Sequence, residues 1–391
     1  MSLSAKREAL ARIHGRYERA GRPHKSRILE EFCATCGYHR KAALRLLNRP
    51  LRTTPPKRSG PKLTYDPLEV LPVLKAIWLA SDQLCSKLLK AALPEWLEHH
   101  ERRTAPLPEA FRKQLLKISP AQIDRLLRPS RVQHPKKGIS ATRPGTLLRH
   151  EVPTRGGPPD TTRPGSVEAD TVAHCDDSTE GDYVNSLTFT ELYSGWTENR
   201  AVWNKSAESV LVQVKALEQV VPYGMKDFHT DNGGEFLNWA LHRHLTGRAA
   251  RMPWTRSRAY RKNDNAHCEQ KNWTHVRQLF GHERFGHAEL VPLMNDLYAK
   301  EWSQFTNHFK PTFKLLKREK KNGRTKRIYE KTPCTPYQRL LDSAEIPEAT
   351  KVKLRAEHAT LDPFALKKSI EEKLKKFFTA LGNLNRESTK T

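Results

Sequence analysis

Two short strings constrain this chain more than anything else in its 391 residues: His229-Thr230-Asp231-Asn232-Gly233-Gly234-Glu235-Phe236 and Asn263-Asp264-Asn265-Ala266-His267-Cys268-Glu269-Gln270-Lys271-Asn272. The first continues a strand-like run from Met225, and its Asn-Gly-Gly turn leads into a helix, so Asp231 falls at the end of a strand. The second opens a helix that carries Glu269. Upstream, Val167 to Ala173 reads as an apolar strand, and it carries a carboxylate of its own at Asp170. Three acids placed in this order point to metal-dependent phosphodiester chemistry on nucleic acid. An anionic phosphorus repels nucleophiles and an alkoxide leaves poorly; a pair of divalent cations ~3.5–4 Å apart answers both problems. Mg²⁺ prefers oxygen ligands and keeps several waters, so a few carboxylates suffice.

Together with Val167-Glu168-Ala169-Asp170, these strings resemble the catalytic core of integrase-type DDE transposases of bacterial insertion sequences, members of the retroviral integrase superfamily. The resemblance covers residues 166–300. It implies a ribonuclease-H-like fold in which Asp170, Asp231 and Glu269 are both catalytic and metal-binding, holding two Mg²⁺ ions for which Mn²⁺ substitutes. Asp170 would bridge the ions, with Asp231 completing one site and Glu269 the other. Asp231 and Glu269 lie 38 positions apart, close to the family's spacing. The implied partner is double-stranded DNA, both element ends and target, bound by a homo-oligomer assembled on it. Water would cut the end first, and the freed 3′-hydroxyl would attack target DNA. Asn272, Trp273 and Val276 share the face of Glu269. Asn272 matches a recurrent family asparagine, whereas Trp273 stands where many relatives carry a basic residue.

The formal net charge is +26, unevenly distributed. Residues 166–300 hold 15 Lys and Arg against 18 Asp and Glu, so the excess lies in the flanks. Basic flanks attract a polyanion by releasing its counterions, which leaves the mildly acidic centre to bind a cation. No apolar run of about 18 residues occurs, and Met1 to Arg7 lacks the apolar stretch of a signal peptide, so no membrane role is expected. Six scattered cysteines fit a reducing compartment, a bacterial cytoplasm or a nucleus; the resemblance to insertion-sequence transposases implies the bacterial cytoplasm, with nucleoid association. Cys33 and Cys36 with His14 and His24 lack the spacing of a zinc site.

The expected architecture is α/β: a core with a mixed five-stranded sheet and flanking helices, preceded by all-α DNA-binding domains and followed by a small basic β segment and a helical tail. Residues 1–50 contain a helix-turn-helix over 25–47, with Gly37 at the turn and Arg40, Lys41 and Arg45 on the exposed side of its second helix. Residues 63–130 form a second helical DNA-binding domain whose last helix is capped by Ser119 and presents Gln122, Asp124, Arg125 and Arg128 outward. A basic Pro/Gly-rich linker spans 131–165. In the core, strands are expected at Val167–Ala173, Tyr183–Leu192, Trp196–Trp203, Met225–Thr230 and Arg248–Met252, with helices at Ser206–Val220, Glu235–Leu245 and from Asp264. Residues 301–345 hold a basic hairpin turning at Asn322-Gly323. Residues 346–391 are helical, and the stripe Leu366, Ile370, Leu374, Phe377 and Leu381 is expected to pack within the chain. DNA contacts near the acids are assigned to Arg256, Arg258, Arg261, Lys262, Lys271 and Asn272.

Two other functions use parts of the same pattern. A repressor derived from a transposase would keep the DNA-binding helices but tolerate loss of an acid; all three acids are present. A ribonuclease-H-like nuclease without strand transfer would have little use for tandem DNA-reading blocks.

Overall fold

The computed structural model describes residues 1–51, 64–133, 152–155, 159–248, 251–258, 265–321 and 324–388. They form two compact units, Met1–Thr64 and Tyr65–Thr391.

The first unit consists of α1 (Leu3–Arg19), α2 (Arg22–Cys36) and α3 (Arg40–Leu47). Gly37 ends α2 in the left-handed region at φ 64°, and its N–H bonds to the Cys33 carbonyl at 2.8 Å, a conformation that costs glycine little. Tyr38 and His39 complete the turn into α3. Tyr17, Ile28, Leu29, Phe32, Cys36, Ala43 and Leu47 pack into one core, which fixes the two helices of the expected motif against α1.

The second unit opens with α4 (Pro67–Ala80), α5 (Ser86–Arg103), α6 (Glu109–Lys117) and α7 (Pro120–Gln133). The Ser119 hydroxyl accepts the Gln122 N–H at 3.2 Å, the cap expected for α7. A sheet follows from β1 (Ser166–Ala173), β2 (Val184–Glu191), β3 (Thr197–Trp203), β4 (Asp227–Thr230) and β5 (Trp254–Arg256), in the order β3-β2-β1-β4-β5. The first three strands are antiparallel; β1, β4 and β5 are parallel, joined through α8 (Ala207–Val220) and α9 (Trp239–Thr246). This is the mixed five-stranded sheet with flanking helices read from the alternation of apolar runs.

Two boundaries differ from expectation. The helix after Asp231 starts at Trp239 rather than Glu235, because Phe236 and Leu237 turn back onto the Gly233 carbonyl and the Asn238 side chain caps Leu241 N at 2.9 Å. The last strand forms at Trp254–Arg256 rather than Arg248–Met252. Arg248 folds back onto Glu218 at 2.6 Å and the His244 carbonyl at 3.0 Å, closing α9. Pro253 then supplies the carbonyl that takes Phe228 N.

After the sheet, α10 (Ala266–Lys271) runs through a π-helical stretch, Asn272–Arg277, into α11 (Gln278–Phe280). Next come α12 (Leu290–Leu297), a second π-helical stretch, Tyr298–Trp302, and α13 (Ser303–Phe309). The basic hairpin is β6 (Leu315–Lys321) and β7 (Arg324–Tyr329), whose tip, Asn322-Gly323, lies outside the described residues. Helices α14 (Pro336–Asp342), α15 (Glu348–Thr360) and α16 (Pro363–Ser388) end the chain.

The helices α4–α7, set apart in the sequence as a domain, share a core with the C-terminal helices. Trp78, Trp96 and Leu97 pack in one cluster with Phe305, Phe309, Leu366, Ile370, Phe377 and Leu381, which also buries the C-terminal stripe as expected. Trp96 Nε1 donates to the Phe309 carbonyl at 3.2 Å. Burial pushes the Asp82 carboxyl up, but Lys310 at 3.0 Å and Lys367 at 2.6 Å outweigh it and hold the group at about 2. Local periodicity announces an apolar face without naming its partner. Trp96→Ala should therefore destabilise the whole of Tyr65–Thr391, by ~3–5 kcal/mol, as read from urea unfolding by circular dichroism; a change under about 1 kcal/mol would show that α5 is not part of that core.

Candidate active site

Asp170 and Asp231 are brought together by the parallel pairing of β1 with β4. Ala169 lies beside Thr230 in the register, so the next residue of each strand is an aspartate. Asp170 Oδ1 accepts the Thr171 N–H at 2.9 Å, and Oδ2 accepts Asn272 Nδ2 at 2.7 Å. Asp231 Oδ1 accepts the Gly233 N–H at 2.8 Å, which curls the loop after β4. A Cβ on Gly233 would stand 2.5 Å from a Glu235 carboxylate oxygen, so a side chain there would push the Glu235 carboxylate from its place. Glu235 is itself buried and accepts from Thr171 Oγ1 at 2.6 Å and Lys205 Nζ at 3.3 Å.

Burial and the nearby Asp231 charge push the Asp170 carboxyl well above the ordinary carboxylate range, with Glu235 adding to the rise; Thr171 and Asn272 offset part of it. Burial and Glu235 lift Asp231 to about 6 against the pull of the Gly233 N–H and Lys205. Such a pair is under-compensated negative charge on two half-buried side chains. Beside it the Asn272 Oδ1 atom is buried and, among the described residues, without a partner. Cys268 is buried too, but its thiol is pushed far up by burial and donates to the Thr188 carbonyl at 3.3 Å, so it supplies no soft ligand. This oxygen donor set fits a hard divalent cation such as Mg²⁺ or Mn²⁺. Among the described residues, no three His, Cys, Asp or Glu side chains converge as a finished metal cage.

Glu269 lies on the exposed side of α10. Three contacts stitch its surroundings to β1: Asn265 Nδ2 to the Ala169 carbonyl at 3.4 Å, Cys268 N to Glu168 Oε2 at 3.4 Å, and Asn272 to Asp170. Glu168, buried in β1, also takes Arg155 at 2.9 Å. The sequence reading passed over both Glu168 and Arg155. The available signal was the strand period of two, which sends Glu168 to the same face as Asp170.

The residues assigned to DNA divide into several groups. Arg40, Lys41 and Arg45 are exposed on α3, with Arg40 3.6 Å from Glu30. Arg125 is exposed on α7, whereas Asp124, expected outward, is held by Ser86 at 2.8 Å and Arg131 at 2.7 Å. Arg256 uses its guanidinium on the Val152 carbonyl at 2.8 Å and Asn232 Oδ1 at 3.0 Å, and so braces the Asp231 loop. Arg258 is exposed; Arg261 and Lys262 lie outside the described residues. Asn272 holds Asp170. Lys271 opens onto a cleft of about 1470 Å³ lined also by Lys310, Lys314 and Arg339. Burial, then Arg339 and Lys310, lower its ammonium to about 7.

The chain belongs to the family of the uncharacterized protein y4rM of Sinorhizobium fredii (strain NBRC 101917 / NGR234). It is 36% identical to that protein over 351 residues, which span 87% of this chain and 96% of y4rM. No family model matches. Among solved structures, the catalytic core domain of BIV integrase aligns at 14% identity and a TM-score of 0.28, over 50% of this chain and 96% of that one. The simian T-cell lymphotropic virus intasome in complex with PP2A regulatory subunit B56 gamma aligns at 13% identity and 0.28, over 55% and 69%. Scores this low leave the description of the fold to its own strand order.

The raised acids have a consequence for stability. The folded-state value of Asp231, about 6, lies above its ordinary 3.8, so its contribution is fully present below about pH 4 and is lost as pH rises through about 6. Asp231→Asn should accordingly stabilise the metal-free chain above pH 6, by about 1–3 kcal/mol, with the difference shrinking toward pH 4. Calorimetry from pH 4 to 8 checks this; a variant less stable than the parent at pH 7.5 would show that the carboxylate is not strained.

Proposed function

We propose that this chain is a DNA transposase of the DDE type: it binds the ends of a mobile element and catalyses metal-dependent cleavage and strand transfer by 3′-hydroxyl attack on target DNA. The observation that carries this reading is the convergence of Asp170 and Asp231 from adjacent parallel strands, with Asn272, from the helical run of Glu269, bonded to Asp170. The strand order supports a ribonuclease-H-like core. Asp170, Asp231 and Glu269 would hold Mg²⁺, which when bound supplies activation of the attacking oxygen and stabilisation of the departing one.

The other residues have roles of their own. Asn272 turns the Asp170 carboxylate, while Glu235, fixed by Thr171 and Lys205, keeps the Asp231 loop closed. Lys271 would meet phosphates along the cleft it opens onto. The exposed Arg40, Lys41 and Arg45 give α3 the basic face of a recognition helix. Since two ends must be cut and joined while one acid set performs one transfer at a time, the active form would be a multimer on DNA.

Asp170→Ala, Asp231→Ala and Glu269→Ala should each lower end cleavage and strand joining by at least about a hundred- to a thousandfold while leaving DNA affinity nearly intact. Gel assays with Mn²⁺ or Mg²⁺ on a labelled terminal duplex read both; parent-like cleavage by any one variant removes that acid from the site. Separately, Lys41→Ala with Arg45→Ala should weaken duplex binding and flatten the slope of log K against log salt by about 2. An unchanged slope would take α3 out of the interface.

A further inference from the structure

A short segment ahead of the core, Val152–Arg155, touches the supports of all three acids. It lies alongside β5, with Thr154 bridged in parallel to Arg256. Arg155 N donates to the Arg256 carbonyl at 3.0 Å, and Arg256 N to the Pro153 carbonyl at 2.9 Å. Val152 is buried in the core beneath the sheet. From this segment two lines of contact run to the acids. On one side, Arg256 Nε is held by the Val152 carbonyl while its Nη1 holds Asn232, the neighbour of Asp231. On the other, Arg155 reaches Glu168, whose second oxygen takes Cys268 N in the first turn of α10, next to Glu269. Glu168 is also two residues from Asp170 on β1.

The buried pair is informative in itself. The Arg155 and Glu168 side chains are 11% and 1% exposed. Desolvation consumes most of what such a pair gains, and apolar side chains filling the same space would serve stability as well or better. What the charges add is direction: a guanidinium fixes one carboxylate oxygen and so aims the other at the helix.

We propose that Val152–Arg155 is a brace for the acid-bearing elements, with Arg155, Glu168 and Arg256 as positioning residues, and that the site binds a divalent cation at full affinity only with this segment docked. The proposal rests on the reading that Asp170 and Asp231 take such a cation. It makes the docking of a segment just ahead of the core a condition for a competent site.

The test is Mn²⁺ binding to the full chain, read from the electron paramagnetic resonance of free Mn²⁺, beside urea unfolding of the same metal-free samples. Arg155→Gln and Glu168→Gln should weaken Mn²⁺ binding by about 10- to 100-fold, the usual cost of losing a support behind a ligand. Arg155→Lys should recover most of it. Leu217→Ala, a cavity in α8 under the sheet, should lower stability with Mn²⁺ affinity unchanged. The brace is overturned if Arg155→Gln and Glu168→Gln bind Mn²⁺ like the parent, or lose no more than Leu217→Ala does. Should Arg155→Gln fail to fold, Arg256→Lys decides: one ammonium cannot serve both Val152 and Asn232, so it must weaken Mn²⁺ binding if the brace is real, and parent-like binding refutes it. Asp170→Asn separates this proposal from the functional one. Parent-like Mn²⁺ binding by Asp170→Asn sinks the metal reading, whereas lost binding there with intact binding in Arg155→Gln sinks the brace alone.

Discussion

Like charges resist burial, and Asp170 and Asp231 are held side by side by the backbone itself. Parallel pairing of β1 with β4 sets the register, which brings the residue after Ala169 and the residue after Thr230 to the same place. Much of the local architecture follows as compensation. Two N–H groups, from Thr171 and Gly233, an amide from Asn272 and the ammonium of Lys205 on Glu235 each offset part of the repulsion. The offset is incomplete, since both aspartates still hold protons above the ordinary carboxylate range. Glu168, two residues earlier, is met by a guanidinium instead.

The features legible in the sequence were those fixed by local rules. Alternating apolar residues marked the first four strands of the sheet, Asn-Gly-Gly the sharp turn after Asp231, and Ser119-Pro120 the start of α7. The two acids were singled out by the strings around them; that Asp170, within β1, and Asp231, just after β4, fall beside each other follows from a parallel pairing that the local pattern does not state. Partner choice was not legible. Nothing in the pattern of α4–α7 states that Trp96 meets Phe305 and Phe309 two hundred residues later. Nor does an arginine in a basic stretch disclose that its guanidinium is used inside the protein, as happens at Arg256.

Arg256 bears on how the net charge should be read. The +26 counts the whole chain, and not every cation in it is free to meet a polyanion: in the second unit Lys310 and Lys367 are tied to Asp82, and Arg339 to Ser194, Thr312 and Glu330. These cations stabilise the packing that carries the hairpin and the C-terminal helices. On α3, by contrast, Lys41 and Arg45 stand exposed, so the first unit offers charge to a polyanion at little structural cost.

The same distinction between charge used for structure and charge left over explains the acid site. Glu191 and Glu198 are also buried carboxylates pushed up by burial, yet neither suggests chemistry. Glu191 takes N–H groups from Tyr193, Ser194 and Gly165, and Glu198 takes Trp196, Ser303 and Arg200. Their oxygens are occupied. Asp170 and Asp231 are different because each has another carboxylate close by that raises its cost of ionisation. A divalent cation removes that cost for both at once, whereas a proton neutralises only one. Binding of the cation would then return free energy that folding of the metal-free chain gives up, coupling the stability of the sheet edge to the readiness of the site.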